Sequence, residues 1–291
     1  DIKQLGELLL PLLKKGQSIY SILQSHKEIK LSEKTIYNYI ENGVFQDVGV
    51  SISTIDLKRV VRRKMSKQKR NTYKPRKDNR YLIGRKYSDF LIYMEKNSDA
   101  KVVEMDTVYN DMSNGPFLQT FKFREYDLLI CIYQTVKDSL HMLDGILLLE
   151  KILGKEMFEK EVEVILTDRG SEFILAEEAK IREDGTHRTR MFYCDSMASW
   201  QKGSLENVHL LVREICPKGC DLYALGLTSQ EKANLISTHI NSYPKEKLHG
   251  RSSIQLLHFY NEEMAKRLHD FGITKIVADE GSAFNLKIVP S

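Results

Sequence analysis

The chain has 291 residues, of which 42% are hydrophobic and 29% are charged, so it is long enough for a substantial core and one smaller module. No apolar run approaches the roughly 18 residues that a membrane span needs, and four cysteines in this length do not make a disulfide framework. Composition therefore excludes a membrane protein and a disulfide-stapled secreted protein, and it favours a reducing cytosol.

The net charge of +4 is spread unevenly along the chain. Eleven Lys or Arg and no acid lie within residues 58–77, which leaves a charge of −7 on the rest of the chain. Such a segment is typical of a surface for a polyanion, because each neutralised phosphate releases counterions. Nucleic acid is the expected partner, although a solvated linker has the same composition. The predicted DNA contacts in this run are Arg59, Arg62, Arg63, Lys64, Lys67, Lys69 and Arg70.

Residues 1–45 show three helical segments. Leu and Ile recur at helical spacing over 2–13, Ser18 can cap a short second helix, and Ser32 can cap a third over 33–41. This is a helix-turn-helix pattern, in which the last helix reads the major groove of DNA. A plain three-helix bundle has the same pattern and stays open. The exposed positions of the third helix predicted to contact DNA are Lys34, Thr35 and Asn38.

From residue 102 the pattern changes to short apolar strands. Three runs with short connections, VVEMDTV, FLQTFKF and DLLICIYQT, predict an antiparallel meander. A helix over 139–153, the strand EVEVIL, the strand RMFYC and a helix over 204–215 follow, and further helices are predicted near 229–240 and 253–268. Three strands, then helix and strand in alternation, is the order of a ribonuclease-H-like core, although many α/β folds share parts of it.

Three carboxylates stand in matching settings within this pattern. Asp106 lies in VVEMDTV, Asp168 follows EVEVIL after one threonine, and Glu206 falls in the first turn of a helix that Ser204 can cap. Carboxylate oxygens are the ligands that Mg²⁺ prefers, and two such ions about 3.5 to 4 Å apart stabilise an in-line displacement at phosphorus. A single carboxylate near a strand end is more often a cap or a solvated side chain than a metal ligand. Together they predict a divalent-metal site for phosphoryl transfer on nucleic acid.

Several neighbours of these acids are open to more than one interpretation. Glu104 shares a strand face with Asp106 and is either an auxiliary or a surface residue. His209 and Arg213 share a helix flank with Glu206. His209 then orients water, contacts phosphate or metal, or is a plain hydrogen-bonded histidine, whereas Arg213 contacts DNA or pairs with an acid.

Two further residues and the cysteines complete the candidates. Lys202, in the loop before the last motif helix, is positioned to neutralise phosphate, and Trp200 either stacks on a base or packs in the core, which is the favoured interpretation. Cys216 and Cys220, with His187 and Cys194 upstream, supply four possible zinc ligands, but their spacing is unspecific.

The motifs together resemble the transposases of bacterial insertion sequences with a ribonuclease-H-like DDE core, and among these the insertion-sequence-thirty type. The resemblance covers most of the chain, and the blocks that carry it are SEKTIYNYIENGVF, EMDTV, LTDRGSEF, WQKGSLENVHLLVREICPKG and NSYPKEKLHGRS. It implies that Asp106, Asp168 and Glu206 are the catalytic and metal-binding triad, with 37 residues between the second and third acids. Ser196 and the pair Ser252-Ser253 depart from the residues usual in relatives, away from the triad.

The resemblance implies an α/β fold: a ribonuclease-H-like, retroviral-integrase-like catalytic core behind an all-α helix-turn-helix domain. It also implies Mg²⁺ or Mn²⁺ as cofactor, bound as two ions, double-stranded DNA as substrate, a homodimer or higher assembly on DNA, and a place at the bacterial nucleoid. Because the sequence begins at Asp1 and relatives often carry another helix-turn-helix, an N-terminal truncation is expected. The predicted units are 1–45 (helix-turn-helix), 46–97 (basic, DNA-contacting linker), 98–268 (core) and 269–291 (tail).

Two rival functions remain at this stage. A DNA-binding regulator would keep the helix-turn-helix and lack catalysis, and a nuclease of the same fold would act on RNA in hybrids. Nicking of DNA in the presence of Mg²⁺ or Mn²⁺ separates the first rival from a transposase, and activity confined to RNA–DNA hybrid would favour the second.

Overall fold

A computed structural model describes residues 1–57, 80–110 and 115–276 of the chain. The seven basic residues predicted to contact DNA between Arg59 and Arg70 lie outside these ranges. Within the described residues, no helix has the length and apolar character needed to cross a membrane.

Four helices form the N-terminal unit. The two predicted caps are confirmed, because the Ser18 side chain accepts a hydrogen bond from the backbone of Ser21 and the Ser32 side chain accepts one from the backbone of Thr35. The left-handed conformation of Gly43 then turns the chain into a fourth short helix that the sequence pattern had not indicated. The helices are α1 (Ile2–Lys14), α2 (Ile19–Ser25), α3 (Glu33–Glu41) and α4 (Val44–Asp47).

The inner faces of these helices form a separate small core. Leu9, Ile22, Ile36 and Phe45 are fully buried in it. On the outer side of α3, Lys34 and Asn38 are exposed as the helix-turn-helix prediction requires. The Thr35 hydroxyl is partly used within the helix cap, where it lies 2.8 Å from the Ser32 hydroxyl.

A five-stranded sheet forms the centre of the larger unit. Its strands lie in the order β3-β2-β1-β4-β5. The first three pair antiparallel, and β4 and β5 run parallel to β1, which confirms the predicted meander and the ribonuclease-H-like arrangement. The strands are β1 (Val102–Val108), β2 (Phe117–Phe123), β3 (Leu128–Gln134), β4 (Val164–Thr167) and β5 (Arg190–Tyr193).

Helices cover both faces of the sheet, as the nearly continuous burial of its strands requires. One face, with Val103, Phe121 and Ile130, packs on a cluster that includes Leu149. The opposite face, with Leu118 and Leu129, packs on the apolar sides of the helices over 203–215 and 230–242, which follow β5. The helices of this unit are α5 (Tyr87–Lys96), α6 (Ser139–Leu153), α7 (Lys155–Glu161), α8 (Ala176–Lys180), α9 (Gly203–Ile215), α10 (Gln230–Ser242), α11 (Ser253–Tyr260) and α12 (Glu262–Asp270).

Two predicted helix features are wrong. The helix predicted over 253–268 is broken in two, because Asn261 leaves helical geometry and its side chain caps α12 by accepting from the backbone of Met264. Ser204 does not cap α9, since the helix begins one residue earlier and its first turn is capped from the sheet instead.

The segment 46–97 is not a linker throughout its described part. Helix α5 lies in it and buries Phe90, whose ring is 5.7 Å from that of Phe192 on β5. The predicted tail also begins as packed structure. Ile273 is buried, and the backbone amide of Thr274 donates to the Thr238 hydroxyl at 3.0 Å.

Candidate active site

Two of the three predicted acids meet at one edge of the sheet. Asp106 lies near the end of β1, and Asp168 directly follows β4. Because these strands run parallel, their carboxyl ends reach the same edge. The Lys202 ammonium lies between them, with its Nζ 2.9 Å from Asp106 Oδ2 and 3.9 Å from Asp168 Oδ2. A single cation is thus shared by the two predicted metal ligands.

Lys202 is not an open DNA contact in this structure. The residue is only 5% exposed, and its Nζ also donates to the backbone carbonyl of Met105 at 3.3 Å. Its contact with DNA stays a prediction, and in this structure Lys202 is a buried counter-ion of the acid pair. Its sequence neighbourhood gave no sign of this, since the lysine reaches the strand across 96 residues of chain.

The charges in this cluster depend on one another. Burial alone would raise the pKa of Asp106, but attraction to Lys202 and His209 outweighs it, so the pKa lies below its usual value. The pKa of Asp168 lies above its usual value, chiefly because the carboxyl is buried. Attraction to Lys202 lowers this pKa, but repulsion from Asp106 cancels part of that effect. Burial would lower the pKa of Lys202, yet the two aspartates raise it above its usual value. Asp106 is thus the firmer anion of the pair and Lys202 is fully charged.

Glu206, the third predicted acid, lies exposed in the first turn of α9. Within the ranges that the structure describes, no three His, Cys, Asp or Glu side chains lie close enough together to hold a metal ion. The structure therefore brings Asp106 and Asp168 together and leaves Glu206 at the surface of the adjoining helix. Two carboxylates that already share a cation do fit Mg²⁺, which is commonly held by one or two carboxylates plus waters and substrate phosphates.

Glu104 connects the two elements that carry Asp106 and Glu206. It is 1% exposed, and its carboxylate accepts hydrogen bonds of 2.6 Å from Arg124 Nε and of 2.6 Å from the backbone amide of Leu205. The amides of a first helical turn have no partner within the helix, and a carboxylate there also opposes the positive end of the helix dipole. The interpretation of Glu104 as a surface residue is wrong, since it caps α9 from inside the sheet.

His209 faces the strand beside Asp106. Its Nε2 lies 2.9 Å from the Thr120 hydroxyl, which in turn donates to the backbone carbonyl of Asp106 at 3.1 Å. Because the single hydroxyl hydrogen is used on that carbonyl, the hydrogen-bond network assigns the Nε2–H tautomer to the imidazole. Burial lowers the pKa of His209 to about 4, so the ring is neutral at pH 7.

Arg213 is used inside the protein. One terminal nitrogen donates to Asn110 Oδ1 at 2.7 Å, and the other donates to the backbone carbonyl of Tyr109 at 3.0 Å. Both contacts hold the chain just after β1. The guanidinium therefore pairs with an amide oxygen and a carbonyl rather than with an acid, and it stabilises the end of the strand that carries Asp106. Its contact with DNA stays a prediction.

A fourth acid, Glu172, was missed. Its Oε1 lies 2.7 Å from Lys137 Nζ and 3.4 Å from the hydroxyl of Thr107, the residue after Asp106. A side chain at Gly170 would place its Cβ 2.5 Å from Glu172 Oε2 and 2.9 Å from an oxygen of Asp168, so any larger residue there would shift one or both carboxylates. The sequence signal that could have indicated Glu172 is the segment DRGSEF, in which a glycine lies midway between two acids four residues apart.

Trp200 is not a core residue. The side chain is 72% exposed, and its ring touches only the edge of Tyr87 among the aromatic contacts of the described residues, at 6.2 Å between centroids. The favoured interpretation from sequence, core packing, is therefore wrong.

The cysteines do not form a metal centre among the described residues, where all four are free. Burial raises the pKa of Cys194 and of Cys216 to about 12, which keeps both as thiols.

The fold and this site define a ribonuclease-H-like core with an acid pair at the carboxyl edge of its parallel strands. The chain is 37% identical over 68 residues, 23% of its length, to the transposase for insertion sequence element IS1086 of Cupriavidus metallidurans. It is 26% identical over 236 residues, 81% of its length, to the probable transposase for insertion-like sequence element IS1161 of Streptococcus salivarius. These matches span 19% and 60% of the two curated relatives. No family model matches the chain.

A partial overlap with solved structures is also found. The catalytic core domain of HTLV-2 integrase in complex with magnesium, in its trimeric form, aligns with 53% of this chain and 94% of its own, at 14% identity and a TM-score of 0.35. The dimeric form of that domain aligns with 54% of this chain at 15% identity and a TM-score of 0.34.

Proposed function

We propose that the chain is a DNA transposase of the insertion-sequence-thirty type. It would bind the terminal inverted repeats of its element, hydrolyse a phosphodiester to free a 3′-hydroxyl, and join that hydroxyl to target DNA. The observation that carries the proposal is the pair Asp106 and Asp168 around one cation at the carboxyl edge of β1 and β4. The similarity to two curated transposases supports the same reaction class.

Asp106 and Asp168 would hold Mg²⁺ or Mn²⁺, with Glu206 joining them from α9. When bound, such ions, in one or two positions, supply Lewis-acid stabilisation of the charge that develops on phosphate oxygens. The low pKa of Asp106 keeps it in the anionic form that this role needs. Before a metal ion binds, Lys202 offsets part of the negative charge of the acid pair. Glu104 sets the position of the helix that carries Glu206.

The chain's other groups would position the substrate rather than react with it. Helix α3 presents Lys34 and Asn38 outward, as a helix that reads a DNA groove must. Neutral His209, fixed by Thr120, would orient water or phosphate beside Asp106. We also propose a homodimer or higher assembly on two DNA ends at the bacterial nucleoid, because joining both ends of an element requires two such sites.

The test uses the DNA that flanks the coding region. A fragment from each side, labelled at either 5′ end, is incubated with the protein and Mg²⁺ or Mn²⁺, and nicks are mapped to single nucleotides. The expected result is a nick at one boundary of a matched inverted repeat that leaves a 3′-hydroxyl, and later joining of that end to plasmid DNA. Asp168→Asn should bind the same fragment without nicking it.

Two outcomes would contradict the transposase proposal and support another function. Tight binding without nicking by the wild-type protein under any divalent ion would indicate a regulator that has kept only its DNA reader. Cleavage confined to the RNA strand of a hybrid would indicate a nuclease of the same fold.

A further inference from the structure

The loop 195–202, between β5 and α9, ends at Lys202, which contacts the acid pair, and it displays two large apolar side chains to solvent. Met197 is 88% exposed and Trp200 is 72% exposed. Trp200 is also the single tryptophan of the chain. We call these two side chains the apolar tip. The indole is a large, rigid apolar surface with few rotatable bonds, which suits it to contact a flat group of another molecule.

The loop that carries the apolar tip is braced from within. The Gln201 side chain accepts from the backbone amide of Asp195 at 2.7 Å and donates to its carboxylate at 3.0 Å. Arg169, the residue after Asp168, donates to the same carboxylate at 2.6 Å. At the other end of the loop, Lys202 is held by Asp106. The loop is thus anchored on residues of both acid-bearing segments.

This bracing fixes where the apolar tip points. Met197 has a φ of 61°, in the left-handed region that favours glycine, and the loop holds it there with its side chain in solvent. The Trp200 ring meets Tyr87 edge-on, at an interplanar angle of 77°. An aromatic ring held in place before binding loses little conformational freedom when a partner stacks on it.

We propose that the apolar tip is a stacking platform for an unpaired nucleobase of the DNA strand whose phosphodiester lies at Asp106 and Asp168. The inference rests on the proposed function and adds to it a binding site for a base. Every base has a flat face that stacks on an indole, and apolar wedges such as methionine open base steps. Two side chains offer far less than the roughly 800 Å² per partner of a stable protein interface, which favours a base over a protein.

The single tryptophan makes the proposal directly measurable. Wild-type protein in EDTA, which prevents cleavage, is titrated with an end duplex that has one unpaired base at the nick position and with its fully paired counterpart. Stacking quenches indole emission, so the unpaired duplex should quench it more strongly. Binding is followed in parallel by the anisotropy of a dye on the far end of the DNA.

Variants then separate stacking from general binding. Trp200→Ala should weaken binding of the unpaired duplex about 10- to 100-fold and of the paired duplex much less, and Trp200→Phe should restore most of the loss. Phe259→Ala is the matched control, because Phe259 is an exposed aromatic residue outside this loop and its loss should change neither affinity. Equal melting temperatures of these variants would show that the fold is intact.

Three results bear on the inference in different ways. Binding by anisotropy without any change in indole emission would overturn it, even if the protein cleaves DNA. An emission change that depends on protein concentration with no DNA present would assign the apolar tip to self-association and overturn it as well. Quenching by the unpaired duplex from a protein that never cleaves DNA would uphold the base platform and contradict the proposed function.

Discussion

The carboxylate of Glu104 lies 2.6 Å from the backbone amide of Leu205, and this contact joins the strand of Asp106 to the helix of Glu206. Glu104 stands two residues before Asp106, and Leu205 stands one residue before Glu206. A shift of either partner therefore moves two candidate catalytic acids relative to each other. The other oxygen of the same carboxylate accepts a hydrogen bond from Arg124 Nε at 2.6 Å.

Replacing Glu104 should affect stability and catalysis together. Glu104→Ala leaves Arg124 and a helix amide without their acceptor, and we expect a loss of about 2 to 4 kcal/mol in the free energy of unfolding. Glu104→Gln keeps an acceptor for the amide and should lose less. Urea denaturation measures both, with Glu125→Ala in the exposed β2–β3 turn as the control. Equal stability of Glu104→Ala and wild type would contradict the capping role.

Glu172 should act through Lys137 and Thr107, which it contacts behind the acid pair. Lys137 is nearly buried and also lies 4.1 Å above the Tyr109 ring, so removing Glu172 leaves a buried cation poorly compensated. We expect Glu172→Gln and Lys137→Met each to destabilise the protein, and the double variant to recover about 1 to 3 kcal/mol of the summed loss. A double-mutant cycle by urea denaturation measures this coupling. Strict additivity would show that the two side chains do not depend on each other.

Removing the Lys202 charge should change how the acid pair binds cations. The ammonium lies 2.9 Å from Asp106 and competes with any divalent ion for its oxygens. Lys202→Met should therefore tighten Mn²⁺ binding by about tenfold, as measured by isothermal titration calorimetry. Lys218→Met, at an exposed lysine in another loop, should leave the affinity unchanged. Weaker Mn²⁺ binding by Lys202→Met would mean that the lysine shapes the site rather than competing for it.

Asp127, at the β2–β3 turn, holds three lysines. Its carboxylate pairs with Lys122, with Lys245 at 2.7 Å and with Lys247 at 2.6 Å. Burial would raise the pKa of Asp127, but Lys245 and Lys122 outweigh it and lower the pKa to about 2. The block KEK in NSYPKEKLHGRS, part of the resemblance that led to the proposed function, thus also fastens the segment before α11 to the sheet.

This cluster predicts a pH dependence of stability. Because the folded pKa of Asp127 lies below its unfolded value, its contribution is fully present above about pH 4 and is lost as the pH falls toward 2. Asp127→Asn should lower the free energy of unfolding at pH 7 by at least about 2 kcal/mol and flatten its fall between pH 4 and 2. Urea titrations across that range measure both effects, with exposed Asp144→Asn as control. An unchanged acid slope would contradict the assignment.

Much of the fold was predictable because its signals are local. The short apolar run VVEMDTV gave the bounds of β1, and serine caps gave the starts of α2 and α3. Helix α5 was not predicted, because Leu91 and Ile92 are exposed while Phe90 is buried, so its apolar residues do not lie on one helical face. The break between α11 and α12 at Asn261 was not predicted, because the helical spacing of apolar residues continues across it.

The acid pair was predictable in part, and its surroundings were not. Buried parallel strands bring Asp106 and Asp168 to one edge, which follows from the order of elements. The contacts of Lys202 and Glu104 join segments about a hundred residues apart and leave no local pattern. Trp200 was wrongly predicted to pack in the core, because large apolar side chains are usually buried. The hydrogen bonds between Asp195 and Gln201 instead hold its loop in a conformation that leaves the ring in solvent.

The most direct test of the central claim is the single-turnover rate of end cleavage in Mn²⁺ by Glu206→Gln, with Glu214→Gln on the same helix as control. Glu206 is the decisive acid, because its carboxylate lies exposed while Asp106 and Asp168 already share a cation. A site of three acids predicts a fall of roughly a thousandfold for Glu206→Gln at unchanged DNA affinity, and little change for Glu214→Gln. Cleavage by Glu206→Gln within a few fold of wild type would contradict the three-acid site.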